Sequence, residues 1–223
     1  MENSRLTMYT TSLLVFTAGF ADAGTYTAAN KLFSAHVTGN FVVFAYKLAS
    51  EPNLNDFLGL ISFPVFIAAV YFTGKTNKVL KSERKPSVLI GLLLCVAGLI
   101  AYCIDQHYIN SVFIQQFMFM MIVFSMGIQN ALNKIYSRSV YGPTTVMTGN
   151  VTKVTLDLCG YFGYENHQEK MANLRKSAVL IIGFLIGCLL GATLSHRFGL
   201  VSMMIPGVLI TVYYSFYFVE DQK

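Results

Sequence analysis

Six apolar runs, each close to the length of a membrane span, divide this chain, and that pattern points to lipid as its solvent. They are Leu6–Ala28, Phe57–Thr73, Ser87–Ile104, Asn110–Asn130, Ala178–Ser195 and Leu200–Val219. A bilayer-spanning helix needs about 20 mostly apolar residues. Composition agrees. Of 223 residues, 54% are hydrophobic and 12% charged, with a mean hydropathy of +0.54; a soluble domain carries about 25% charged residues. The chain is therefore expected to be all-α, a single polytopic membrane domain over residues 1–223 with the lipid bilayer as its first partner. Two further apolar stretches, Phe41–Ala49 and Val151–Phe162, are too short or too polar to span. The first run follows Arg5 and ends in Ala21-Asp22-Ala23-Gly24, as a cleaved signal would. The polar motif after it has an internal counterpart, so it is read as a retained helix.

Lysine and arginine set the expected orientation. With the six runs as spans, the N-terminal side (side A) holds thirteen of them and the opposite side (side B) holds Lys31, Lys47 and Arg197. The positive-inside rule then places side A, with both termini, in the cytoplasm. The net charge of +5 is accounted for by these loops. No basic helix with interleaved aromatics is present, so no nucleic-acid partner is expected.

The chain repeats itself. Gly19-Phe20-Ala21-Asp22-Ala23 is similar to Gly127-Ile128-Gln129-Asn130-Ala131 in the second half. Thr38-Gly39-Asn40 returns as Thr148-Gly149-Asn150 at almost the same spacing. Each triplet follows the first span of a three-span half, about 1–108 and about 109–223. An odd number of spans per half inverts the second half, a plan common among transporters.

Polar backbone at membrane depth is tolerated only where protein or a water-filled cavity satisfies it. Thr and Asn are helix-capping types and Gly permits close approach. Each triplet is therefore expected to begin a short half-helix, one dipping from each side. Helix N-termini that meet near the midplane suit a polar or anionic solute. The candidate solute-binding residues are Asp22, His36, Thr38, Gly39, Asn40, Gln129, Asn130, Thr148, Gly149 and Asn150. Asp22 and its counterpart Asn130 keep the position polar in both halves, and an ionisable residue at that depth marks a pathway or a paired charge. Lys47 and Asp157 each lie seven residues after their Asn. They can pair across the repeat, or Lys47 can snorkel to the surface.

Gly183, Gly187, Gly191 and Ser195 recur every four residues. Such a stripe lets helices approach closely, within the bundle or between copies of a homo-oligomer. Cys95, Cys103, Cys159 and Cys188 form no CxxC pair, so neither a disulfide framework nor a metal site is expected. The sequence has no P-loop, no Gly-x-Ser-x-Gly elbow and no His-Glu-x-x-His, and no cofactor is implied. The expected function is thus a small-solute transporter or channel, not an enzyme. A non-transporting scaffold or lipid-binding protein, and an intramembrane enzyme, are the alternatives.

Gly19-Phe20-Ala21-Asp22-Ala23 followed by His36-Val37-Thr38-Gly39-Asn40 resembles the signature of the YoaK-like bacterial membrane proteins, a family without an established activity. The resemblance extends over nearly the whole chain. It implies a multi-pass protein of the bacterial inner membrane, and supplies no substrate or catalytic residue.

Overall fold

The computed structural model of the protein describes residues 2–50, 57–162 and 167–218. Val219, the expected end of the sixth span, and Lys223 lie outside them. Every regular element among the described residues is helical: α1 (Glu2–Ala28), α2 (Gly39–Ser50), α3 (Leu58–Leu80), α4 (Arg84–Asp105), α5 (Val112–Ile135), α6 (Thr148–Phe162), α7 (His167–Phe198) and α8 (Met204–Val212). A 3-10 turn over Gly199–Met203 joins α7 to α8, and a π turn over Tyr213–Tyr217 follows α8.

Among the described residues, four stretches are long and apolar enough to cross a bilayer: Leu58–Leu80, Arg84–Asp105, Val112–Ile135 and the continuous His167–Tyr217. That differs from six separate apolar runs, for two physical reasons. The 27-residue α1 is rich in polar side chains, yet Thr10, Thr11, Thr17, Asp22 and Thr25 are all buried. Protein covers the polar side chains of this helix, so it needs less hydropathy. The last stretch is a hairpin rather than one helix. Along α1 and α7 the contacts climb together: Gly183 on Val15, Gly187 on Phe16 and Phe20, Gly24 on Ser195. Along α1 and the turns that flank α8 they run in opposition, with Gly24 on Met203 and Thr10 Oγ1 2.7 Å from the Tyr213 hydroxyl. The chain therefore reverses at Gly199, whose φ of +56° is a left-handed turn conformation that glycine adopts without strain.

The other legs fit the same pattern. α3 runs parallel to α5, with Gly127 on Ala69 and the Tyr136 hydroxyl donating to Asn77 Oδ1. α4 runs antiparallel to α8, with Gly91 on Thr211, Cys95 on Gly207 and Gly98 on Met204. Thus α1 packs on α7, and α5 on α3. The α1–α7 contact is the most extensive among the described residues. Its closeness comes from the glycine stripe, since a Cβ on Gly187 would overlap the Phe16 carbonyl oxygen and one on Gly191 that of Phe20. The stripe is occupied inside the bundle.

The bundle exposes apolar side chains and buries polar ones among its apolar core. Val42, Val79, Phe113 and Phe216 are 72–83% exposed, whereas Asn40, Ser62, Thr73, Ser125 and Gln129 are fully buried. In water that distribution would aggregate; in a bilayer the exposed aliphatic and aromatic side chains meet acyl chains. The protein is a multi-pass membrane protein.

Candidate functional site

The segment after α1 turns back into the bundle because of two consecutive left-handed residues. The Ala29 N–H donates to the Thr25 carbonyl (2.7 Å), Asn30 and Lys31 take φ of 57° and 61°, and the Leu32 N–H returns to the Ala29 carbonyl (3.1 Å). Residues 33–40 then run alongside α1. Asp22 receives them. Its Oδ1 accepts N–H bonds from Ser34 (2.9 Å), Ala35 (2.6 Å) and His36 (3.3 Å), and its Oδ2 pairs with His36 Nδ1. Asp22 is 3% exposed. A carboxylate holding several backbone donors and a histidine is well compensated for its loss of water.

Asn40 closes the segment. Its Oδ1 accepts the Phe33 N–H (2.8 Å), and its Nδ2 donates to the Phe33 carbonyl and to Ser62 Oγ on α3 (both 2.9 Å). Gly39 is the first residue of α2. The N–H groups of Gly39, Asn40 and Phe41 already donate to the carbonyls of His36, Val37 and Thr38, at 2.8, 3.2 and 3.2 Å.

The second half repeats this plan with different chemistry. Asn150 Nδ2 donates to the Pro143 carbonyl (2.8 Å), seven residues back as in Asn40 and Phe33. Asn130, the counterpart of Asp22, donates to Thr145 Oγ1 (2.9 Å). Gln129 donates to Thr144 Oγ1 (3.0 Å) and to the Leu14 carbonyl of α1 (2.8 Å), and Asn133 also reaches Thr144. The Tyr141 N–H donates to Thr11 Oγ1 (3.0 Å), and Gly142 lies against Leu180 of α7. Thr148 is the first residue of α6.

The ten candidate residues therefore fall into three groups. Asp22 meets His36, and Gln129 and Asn130 meet the second segment. Asn40 and Asn150 are buried loop-closers, each turned toward its own segment. Thr38, Thr148 and Gly149 are exposed and Gly39 is half-buried at the start of α2, and a Cβ on Gly149 would meet nothing within 4 Å. Among the described residues no hydrogen bond links one triplet to the other. Lys47 and Asp157 each have a partner of their own: Lys47 donates to the Asn30 carbonyl (3.1 Å), and Asp157 lies 3.6 Å from Lys170. Among the described residues no three metal-ligating side chains converge.

The sequence reading did not single out Ser62, Thr144, Thr145 or Thr17. Thr144 and Thr145 follow Ser34 and Ala35 at the same spacing as the two triplets, so the repeat itself carried that signal. Thr17 carried none. Its hydroxyl and the Gln129 Oε1 are fully buried and have no partner among the described residues. Thr17 lies one turn after Leu14, on the same face of α1.

A family model described as "Protein of unknown function (DUF1275)" matches residues 10–215, from within α1 to within the π turn, and so spans both re-entrant segments. The chain belongs to this family. It is similar to the UPF0700 transmembrane protein YoaK of Bacillus subtilis (strain 168), with 26% identity over 205 residues that cover 89% of this chain and 88% of that protein. No solved structure matches. The resemblance read from Gly19–Ala23 and His36–Asn40 thus holds for the family as a whole chain. The family description assigns no activity, which leaves function to the geometry of the site.

Proposed function

We propose that this protein is a small-solute transporter of the bacterial inner membrane. It has six spans (α1, α3, α4, α5, α7 and α8) in two inverted three-helix halves, with both termini cytoplasmic. One observation carries the reading. Two re-entrant polar segments, built alike, approach the α1–α7 pair from opposite ends. One is received at Asp22 and the other at Thr11, eleven residues earlier. At a rise of about 1.5 Å per residue, those levels differ by about 16 Å, less than a hydrocarbon core of about 30 Å. The reciprocal packing of α1 on α7 and of α5 on α3, about an antiparallel α4–α8 pair, supports the inverted repeat.

The unpartnered Thr17 hydroxyl and Gln129 carbonyl lie between these levels or at them. A buried polar group without a partner costs about 1–3 kcal/mol. Their retention at the centre of a membrane bundle is accounted for if water or a solute reaches them. The solute is polar rather than anionic in this reading. The leading amides of α2 are taken by their own loop and are not free to hold an anion. The glycine stripe is covered by α1, which removes the feature that favoured a scaffold.

The test is a panel of small polar solutes screened by thermal shift on purified protein, then by uptake into proteoliposomes. Thr17→Val, which keeps the side chain's shape and removes only the buried hydroxyl, is expected to fold with a melting temperature no lower than wild type and to lower uptake several-fold. No uptake above protein-free liposomes for any solute in the panel would sink the reading.

A further inference from the structure

The two ends of the α4–α8 pair are built differently. On side B the end of α4 (Ala101, Ile104, Asp105) faces the α7–α8 turn (Gly199–Val201) across an open cavity of about 360 Å³. Ala29 and Leu32 from the first re-entrant segment form part of its wall, and Gln115 and Gln116 of α5 face it. Under the inverted repeat, the matching gap on side A lies between the α3–α4 turn and the end of α8. That gap is filled. Tyr214 is fully buried there, packed against Tyr213 and Phe218. Arg84, the first residue of α4, donates from Nε to the Tyr214 carbonyl (2.8 Å) and from its terminal nitrogen to the Ser215 carbonyl. These carbonyls belong to the π turn, where the helix is wound wide. Glu83, 3% exposed, accepts from the Tyr214 hydroxyl at 3.4 Å, and Thr10 of α1 holds Tyr213.

We propose that this cluster, with Arg84 clamping the π turn, is the side A gate of the solute path, and that the side B cavity is the open mouth at the other end. The inference rests on the transporter reading, and the chain as described is its side-B-open state. Release of Arg84 would free the π turn to rewind and withdraw Tyr214. The side A gap would then open while the α7–α8 turn closes on α4. Two opposed gates on a pseudo-symmetric pair are what alternating access requires.

The experiment uses the full chain in membrane vesicles of both orientations, with its four native cysteines replaced by alanine. Gln116→Cys reports the side B cavity. Ser87→Cys, fully buried one turn from Glu83, reports the side A gap. With Arg84 intact, a membrane-impermeant maleimide is expected to label Gln116→Cys readily from side B and to leave Ser87→Cys protected from side A. Arg84→Ala is expected to raise the Ser87→Cys labelling rate about tenfold or more and to lower that of Gln116→Cys. Tyr214→Phe, which removes only a hydroxyl, is expected to shift both in the same directions by a smaller factor and serves if Arg84→Ala does not fold. Ser87→Cys staying protected in the folded variants, or both sites opening together, would overturn the gate. Reciprocal labelling with no solute transported would uphold the gate and defeat the transporter reading; transport without reciprocity would do the opposite.

Discussion

Replacing Asp22 separates a carboxylate that builds the re-entrant segment from one that merely sits beside it. In Asp22→Ala the buried amides of Ser34 and Ala35 lose the acceptor that now lies 2.9 and 2.6 Å away. The His36 side chain loses its partner as well. Each buried unsatisfied donor costs about 1–3 kcal/mol, so the amides alone account for about 2–6 kcal/mol. A folded domain is stable by only about 5–15 kcal/mol, so the loss is a large share. Asp22→Asn keeps one carbonyl oxygen for the amides but turns an NH₂ group toward His36. It gives up the charge on several bonds and is expected to cost about 2 kcal/mol. The second half shows that an amide can hold such a segment, since Asn130 does so through Thr145. The assay is denaturant unfolding of purified protein in detergent micelles, followed by tryptic accessibility of Lys31, which precedes the segment. The expected order of stability is wild type, then Asp22→Asn, then Asp22→Ala, with earlier cleavage at Lys31 in the last. An Asp22→Ala protein as stable as wild type to within about 0.5 kcal/mol, the range of an inconsequential surface change, would refute the claim that this carboxylate holds the segment in place.

Two further predictions follow from the packing. Gly187→Leu places a side chain where the Phe16 carbonyl already lies, with backbone rather than a flexible side chain opposing it. It is expected to cost at least about 3 kcal/mol or to prevent folding, whereas Gly74→Ala, with nothing within 4 Å, is expected to be neutral or stabilising by up to about 1 kcal/mol; equal melting temperatures for the two would count against the parallel α1–α7 contact. Asn40→Ala removes three hydrogen bonds and Asn150→Ala removes one good oxygen-accepted bond. The first is expected to lower stability by about 2–4 kcal/mol and the second by about 1–2 kcal/mol in the same unfolding assay, and the reverse order would contradict the loop-closing roles.

The sequence by itself determined the all-helical membrane character. Hydropathy and the scarcity of charge are additive along the chain and need no knowledge of the fold. It also determined where the polar segments lie, because similar motifs recur at near-equal spacings, from Asp22 to Asn130 and from Asn40 to Asn150. The glycine stripe was legible as a packing face, since a period of four on a helix is a local property. Its partner was not. Whether Gly187 meets another span or another copy depends on which helices the bundle brings together, and only the tertiary structure placed it on Phe16. The same holds for the Asn residues. A Thr-Gly-Asn triplet reads equally as a solute ligand or a cap, and the turn made by Asn30 and Lys31 is what brings Phe33 within reach of Asn40. Thr17 and Arg84 had no signal at all in the sequence. One is a threonine in an apolar run and the other a basic residue in a basic loop. Their roles come from what stands opposite them: no partner among the described residues for the Thr17 hydroxyl, and two carbonyls of a π turn for Arg84. Neighbours distant in sequence are decided by the packing of whole helices, and that is a property of the fold.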